Sequence, residues 1–252
     1  TVTTESASKV YDGDPLTAAG TITGFVDGET ATFTVTGSQT EVDSSKNTYS
    51  LDFNKTAAES DYTVSKSIGT LTVTEYAGEI TVTTTGGEFT YDSKAHGATV
   101  SVSSLPKGYT LDTATSNATA THVAEGTVTA TCNTLVIKNM SDVDVTKKLN
   151  IKYVNGLIKI NPATLTVTTE SASKVYDGDP LTAGGAISGF VKNETAIFTV
   201  TGSQTEVGSS NNTYNINWDG SAEKSDYTVS ESIGTLTVTR QSISPDQQDP
   251  DA

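Results

Sequence analysis

Apolar and polar residues alternate strictly along Ala31-Thr32-Phe33-Thr34-Val35-Thr36 and Thr70-Leu71-Thr72-Val73-Thr74. A period of two sends successive side chains to opposite faces of a strand, so Phe, Val and Leu line a core while Thr faces water. Between such stretches stand Asp12-Gly13, Asp27-Gly28, Asn155-Gly156 and Asp219-Gly220. These pairs predict turns, because Gly accepts left-handed backbone and Asp or Asn bonds the amide two residues on. No stretch carries a convincing helical period. The pattern predicts an all-β chain of short strands closing into small β-sandwiches.

The strands recur in a long repeat. Thr1 through Thr74 matches Thr166 through Thr239 without a gap, with 56 of 74 positions identical and a constant offset of 165 residues. A diverged third copy lies between them. Its Ile80-Thr81-Val82-Thr83-Thr84 aligns with Leu165-Thr166-Val167-Thr168-Thr169, and its Tyr91-Asp92 with Tyr11-Asp12 and Tyr176-Asp177. Each copy opens and closes with a period-2 strand. The boundaries predicted from these strands give copies at 1–76, 77–163 and 164–240, followed by a polar, Pro-containing tail at 241–252 that reads as an extended linker. The joints are short, which predicts three domains placed end to end as an elongated rod on the order of 100 Å long, at ~3.3 Å per strand residue.

Composition narrows the function. The chain has 47 Thr but a single Cys, Met and Trp, and aromatics make up 7% of it, so any core must be divided among several thin layers. A formal charge of −15 repels phosphate backbones and anionic lipid, which argues against nucleic acid or a membrane surface as partner. No apolar run approaches the ~20 residues of a bilayer-crossing helix. Thr1 begins inside a strand-like repeat, so the chain reads as a monomeric array within a longer exported protein.

Three motifs carry a resemblance. Lys9-Val10-Tyr11-Asp12-Gly13-Asp14-Pro15-Leu16-Thr17, Gly37-Ser38-Gln39-Thr40-Glu41-Val42 and Gly69-Thr70-Leu71-Thr72-Val73 resemble the MBG/YDG-type repeat domains of bacterial surface proteins, and the third copy repeats all three. The middle copy is similar through Phe89-Thr90-Tyr91-Asp92, Leu105-Pro106-Lys107-Gly108-Tyr109 and Ile151-Lys152-Tyr153-Val154-Asn155-Gly156, with Ser93 in place of the motif glycine. The resemblance implies immunoglobulin-like β-sandwich modules at a bacterial cell surface or cell wall. It marks Tyr11, Asp12, Gly13, Tyr91, Asp92, Tyr176, Asp177 and Gly178 as structural motif residues, and it supplies no catalytic residues.

Candidate chemistry is sparse. His96 and His122 lack counterparts in the outer copies and no ligand or carboxylate at site spacing surrounds them in sequence, so both are expected in surface or loop roles. Cys132, in the alternating Thr129-Ala130-Thr131-Cys132, is expected as a small core residue. Asp12, Asp14, Asp177 and Asp179 raise calcium, but two carboxylates across Asp-Gly-Asp are too few for a site, and a turn is the plainer reading. Lys9 and Lys174 recur at matched positions, as do Asn47 and Asn212, which raises an intramolecular Lys–Asn isopeptide bond; the middle copy has Glu88 in the lysine's place. Tyr11, Tyr91 and Tyr176 are expected to anchor their cores with ring buried and hydroxyl at the edge. Trp218, matched by Phe53, is either a strand-end packing residue or a sugar-stacking platform.

No catalytic, cofactor or metal constellation is expected. Two functions remain open. One is a stalk that projects a binding region from the envelope. The other is an adhesin whose repeated weak sites bind host glycoproteins, glycans or immunoglobulin by avidity.

Overall fold

The computed structural model describes residues 1–242, and the predicted tail falls largely outside them. The described residues contain strands and single 3₁₀ turns but no α-helix, so the all-β expectation holds.

The first copy shows how the alternating strands are used. Val2–Thr4 pairs antiparallel with Gly20–Ile22 and parallel with Lys66–Ser67. The chain then changes sheet: Ala7–Val10 pairs parallel with Thr70–Thr74, which also pairs antiparallel with Asp43–Lys46. Thr32–Val35 and Tyr49–Asp52 form a separate hairpin. The third copy repeats this plan. Ala163–Thr169 pairs with Gly185–Ser188 and Tyr227–Ser232, and Ala172–Val175 with Thr235–Thr239.

The change of sheet is built by two residue types. Thr4, at the end of the opening strand, is buried and its Oγ1 accepts from the Gly69 amide at 2.9 Å. Thr169 and Gly234 repeat this at 2.9 Å. A Cβ on Gly69 would stand 2.2 Å from the Glu5 carbonyl oxygen, so the closing strand can pass this corner only with glycine there.

Contacts group the chain into two compact units. The first comprises Thr1–Thr85, Thr99–Asn117 and Thr131–Gly156, and the second Gly86–Ala98, Ala118–Ala130 and the residues from Leu157 on. The two outer copies thus lie in different units, and the strands of the middle copy are divided. Its Glu79–Thr85 pairs with Thr99–Val102 and Asn150–Val154 in the first unit. Its Gly87–Thr90 pairs with Gly156–Asn161, most of which belongs to the second. Asn155-Gly156, predicted as a turn, instead joins two consecutive strands where the chain passes from one sheet to the next.

A core cluster lies in each unit. Tyr11, Val73, Ile80, Tyr109, Ile137, Val145 and Leu149 cluster in the first. Tyr91, Ile158, Ile160, Leu165 and Tyr227 cluster with small alanines in the second. Strict alternation is read directly in burial: every second residue of Ala163–Thr169 is buried and its neighbours are exposed. Cys132 does not lie on a strand, because Thr127–Ala130 ends before it; half-buried, it directs Sγ to the Thr134 carbonyl at 3.2 Å.

Candidate functional site

The Tyr-Asp-Gly motif makes one local structure in all three copies. Asp12 Oδ1 accepts from the Asp14 amide at 3.0 Å, Asp92 Oδ1 from the Lys94 amide at 3.0 Å and Asp177 Oδ1 from the Asp179 amide at 3.0 Å. The residue after each Asp has positive φ: 82° at Gly13, 87° at Gly178 and 61° at Ser93. The middle copy therefore keeps the left-handed turn although it lacks the glycine, at a steric cost that serine bears. Lys9 and Lys174 bond Asp12 and Asp177 at 2.6 Å, and the lysine and the turn amide hold both carboxyls below their ordinary range. In the two outer copies the lysine ammonium neutralises the turn carboxylate.

Those lysine contacts also correct the isopeptide idea. Lys9 Nζ is occupied by Asp12 and by the Asp14 carbonyl. Asn47 is fully buried and gives its amide to the carbonyls of Glu5, Ala18 and Ala19 at 3.0, 3.3 and 3.3 Å. Asn212 makes the corresponding bonds to Glu170, Ala183 and Gly184. The asparagines are clamps that tie three backbone segments together, and the structure does not bring them to the lysines.

Beyond the turn the copies diverge, and there the functional geometry lies. In the first unit, Tyr11 is 2% exposed because middle-copy residues cover it. Its ring meets Tyr109 edge-on at 5.3 Å, and its hydroxyl accepts from the Met140 amide at 3.1 Å. Lys107 reaches Asp14, which raises the lysine's pKa. Glu41 accepts from Ser141 Oγ at 2.6 Å and Asn139 Nδ2 at 3.1 Å. A cavity of about 310 Å³ remains there, lined by Tyr11, Val42, Tyr109, Val143 and Val145 among others.

In the second unit, middle-copy Tyr91 is covered by the third copy. Its hydroxyl donates to Glu194 Oε1 at 2.7 Å, while Tyr227 donates to Oε2 at 2.7 Å and the two rings cross at 79°. Burial and the Glu194 carboxylate push both tyrosine pKa values up, that of Tyr227 to about 12. Beside them Asp226 is fully buried; Oδ2 takes His122 Nδ1 at 2.6 Å and Oδ1 the Val123 amide at 2.7 Å. That hydrogen bond outweighs desolvation and raises the His122 pKa.

His122 is thus no plain surface residue. Its partner lies 104 positions away in another copy, which is why local spacing gave no sign of it. His96 stacks on Phe89 at 4.1 Å and bonds Asp92 at 2.9 Å, a structural role. His122, Glu223 and Asp226 offer three ligand atoms within 4.8 Å of one another, and a divalent cation would use such a set. Two zinc ligands at ~2.0–2.1 Å in a tetrahedron stand over 3 Å apart, so an ion would first have to break the 2.6 Å His122–Asp226 bond.

Tyr176 does not anchor a buried core as predicted. It is 37% exposed, since no module covers it among the described residues. The reverse contrast holds at a second face: Asp226 and Tyr227 are buried, whereas their counterparts Asp61 and Tyr62 are exposed and half-buried. Trp218 stacks on Tyr227 at 6.2 Å, as Phe53 does on Tyr62 at 6.2 Å. Each ring also edges a shallow groove. The groove with Tyr49, Leu51, Phe53, Val64 and Lys66 recurs with Tyr214, Ile216, Trp218, Val229 and Glu231.

Residues 165–237 match the family model of the MBG domain (YGX type), which bears out the resemblance for the third copy. No curated protein matches the chain. Similar solved structures include the I9–I11 tandem from titin, aligned over 96% of this chain and 100% of that one at 9% identity and a TM-score of 0.29. Among the described residues no helix is long and apolar enough to cross a membrane.

Proposed function

From a third copy that matches the MBG domain and a first copy identical to it at 56 of 74 positions, we propose that the chain is a non-catalytic spacer segment of a bacterial cell-surface protein. Its working parts are the junctions between copies, which tie each outer copy to middle-copy residues and so serve to hold a binding region away from the envelope. The observation that carries this reading is where the outer copies differ.

Across the repeat 18 of 74 positions differ, but none of Tyr11, Asp12, Gly13, Asp14, Glu41 and Val42 changes in the third copy. Nor do Phe25, Glu29, Ala57, Asp61 and Tyr62. The grooves, by contrast, differ at five of nine lining positions; Glu59 and Lys66 reverse sign as Lys224 and Glu231, and Lys46 becomes the neutral Asn211. Repeated weak binding of one ligand calls for matched grooves; a spacer calls for matched junctions.

The adhesin reading keeps one support, the recurrence of an aromatic groove of about 460 and 500 Å³ in both outer copies. Small-angle X-ray scattering separates the two. A spacer gives a maximum dimension on the order of 100 Å that shortens and broadens when Tyr11 and Lys107 are replaced by Ala, at ~3.3 Å per strand residue. Unchanged scattering by that variant, with saturable binding of a mucin or immunoglobulin lost on Phe53→Ala and Trp218→Ala, replaces the spacer by the adhesin.

A further inference from the structure

Each outer copy has two faces that a middle-type module can cover, and among the described residues each has one covered and one free. The first copy's motif face is covered by Lys107, Tyr109, Asn139, Met140 and Ser141. The third copy carries the same face, residue for residue, as Tyr176, Asp177, Gly178, Asp179, Glu206 and Val207. There Tyr176 is 37% exposed, against 2% for Tyr11. The carboxylates of Asp179 and Glu206 form no bond among the described residues, although those of Asp14 and Glu41 bind Lys107, Asn139 and Ser141.

A second face repeats the situation with the outer copies exchanged. Asp226, Tyr227 and Glu194 receive His122, Val123 and Tyr91. Among the described residues the identical Asp61, Tyr62 and Glu29 have partners only within their own copy: Tyr62 donates to Glu29 at 2.5 Å and accepts from the Val26 amide at 3.0 Å, and the exposed Asp61 accepts from Ser60 at 2.9 Å.

From these matched pairs we infer that both free faces are docking surfaces for a further module of the middle-copy type. The motif face of the third copy takes such a module's Lys107–Tyr109 and Asn139–Ser141 surface, and the Asp61–Tyr62 face of the first copy takes its Tyr91–His122 surface. Charge and hydrogen bonding agree with this occupant, since two unpaired carboxylates meet a lysine, an amide and a hydroxyl. A second copy of this same chain is a poor occupant, because both surfaces of its only middle copy are already engaged. The array rule is therefore alternation, outer type against middle type. It does not rest on the spacer reading.

The test extends the full chain in the register of the repeat. Residues 75–163 are joined again after Thr239, which corresponds to Thr74, and separately residues 75–165 are placed ahead of Thr1, which corresponds to Thr166. Tyrosine nitration by tetranitromethane, read by mass spectrometry, reports each face. Docking slows nitration of Tyr176 in the first extension and of Tyr62 in the second by ~10-fold or more, toward the rate of Tyr11 and Tyr227. D179K with E206K leaves Tyr176 unchanged in the unextended chain and restores fast nitration in the extended one.

Amide exchange in the added strands establishes that the new module is folded. A folded module beside a Tyr176 as reactive as before overturns the inference at that face, and Tyr62 decides the other face in the same way. Concentration-dependent dimerisation of the unextended chain that protects Tyr176 also overturns it, in favour of self-association.

Discussion

Tyr11 and Tyr176 sit in the same nine-residue motif, so truncating each isolates what the covering module contributes. Tyr11→Ala removes a ring that is 2% exposed and Tyr176→Ala one that is 37% exposed. The difference is roughly 70 Å² of the ~200 Å² such a ring buries, or about 1.8 kcal/mol at ~25 cal/mol per Å². The edge-on Tyr109 ring contributes about 1 kcal/mol, and the Met140 amide bond about another. Tyr11→Ala is therefore expected to cost ~3–4 kcal/mol more than Tyr176→Ala. The two residues lie in different compact units, so calorimetry of the full chain reads each effect on its own transition, with hydrogen exchange assigning the transitions. The first unit should melt roughly 10 °C lower in Tyr11→Ala, with a much smaller shift of the second unit in Tyr176→Ala. Equal shifts would refute the reasoning, because they would show that the covering module adds nothing to what the motif provides alone.

The remaining predictions use the same pairing. Asn47→Ala and Asn212→Ala each remove a buried amide from three backbone carbonyls of one copy, of which Ala19 and Gly184 keep the Glu5 and Glu170 amides, so both should cost ~1–3 kcal/mol and, unlike the tyrosines, by equal amounts, measured by denaturant titration. Asp226→Asn should destabilise the second unit by ~1–3 kcal/mol, whereas Asp61→Asn should stay within about 0.5 kcal/mol of wild type. The folded His122 pKa is raised by Asp226, so its stabilisation is full below the ordinary histidine value and is lost as pH rises through the raised one. Melting of the second unit should accordingly fall from mildly acidic to mildly alkaline pH, His122→Ala should flatten that slope, and a slope that survives His122→Ala refutes the assignment.

Much of the local structure was legible in the residues. Alternation at 31–36 and 70–74 became the strands Thr32–Val35 and Thr70–Thr74, and Asp-Gly at 12–13 became a turn. What escaped has a common cause. Tyr176 is identical in its sequence surroundings to Tyr11, and Ser60-Asp61-Tyr62 recurs as Ser225-Asp226-Tyr227, yet their burial differs because the cover comes from a separate copy. His122 finds Asp226 by tertiary contact alone. Asn155-Gly156 has turn composition, but the sheet change there straightens it into a passage between strands. Asn47 gave a false lead because its recurrence is explained by backbone carbonyls rather than by a lysine. Local pattern speaks for what a segment does within its own strand and turn; it is silent on what a neighbour lays over it.

The 165-residue offset has a genetic consequence. It spans one outer and one middle copy together, and the outer copies agree at 56 of 74 positions. Stretches that similar invite unequal crossing-over. Any such exchange between them adds or deletes an outer–middle pair as a block, so each product keeps outer faces against middle faces and contains no mismatched boundary. Length can therefore drift among descendants in steps of one pair while every surviving boundary stays in phase.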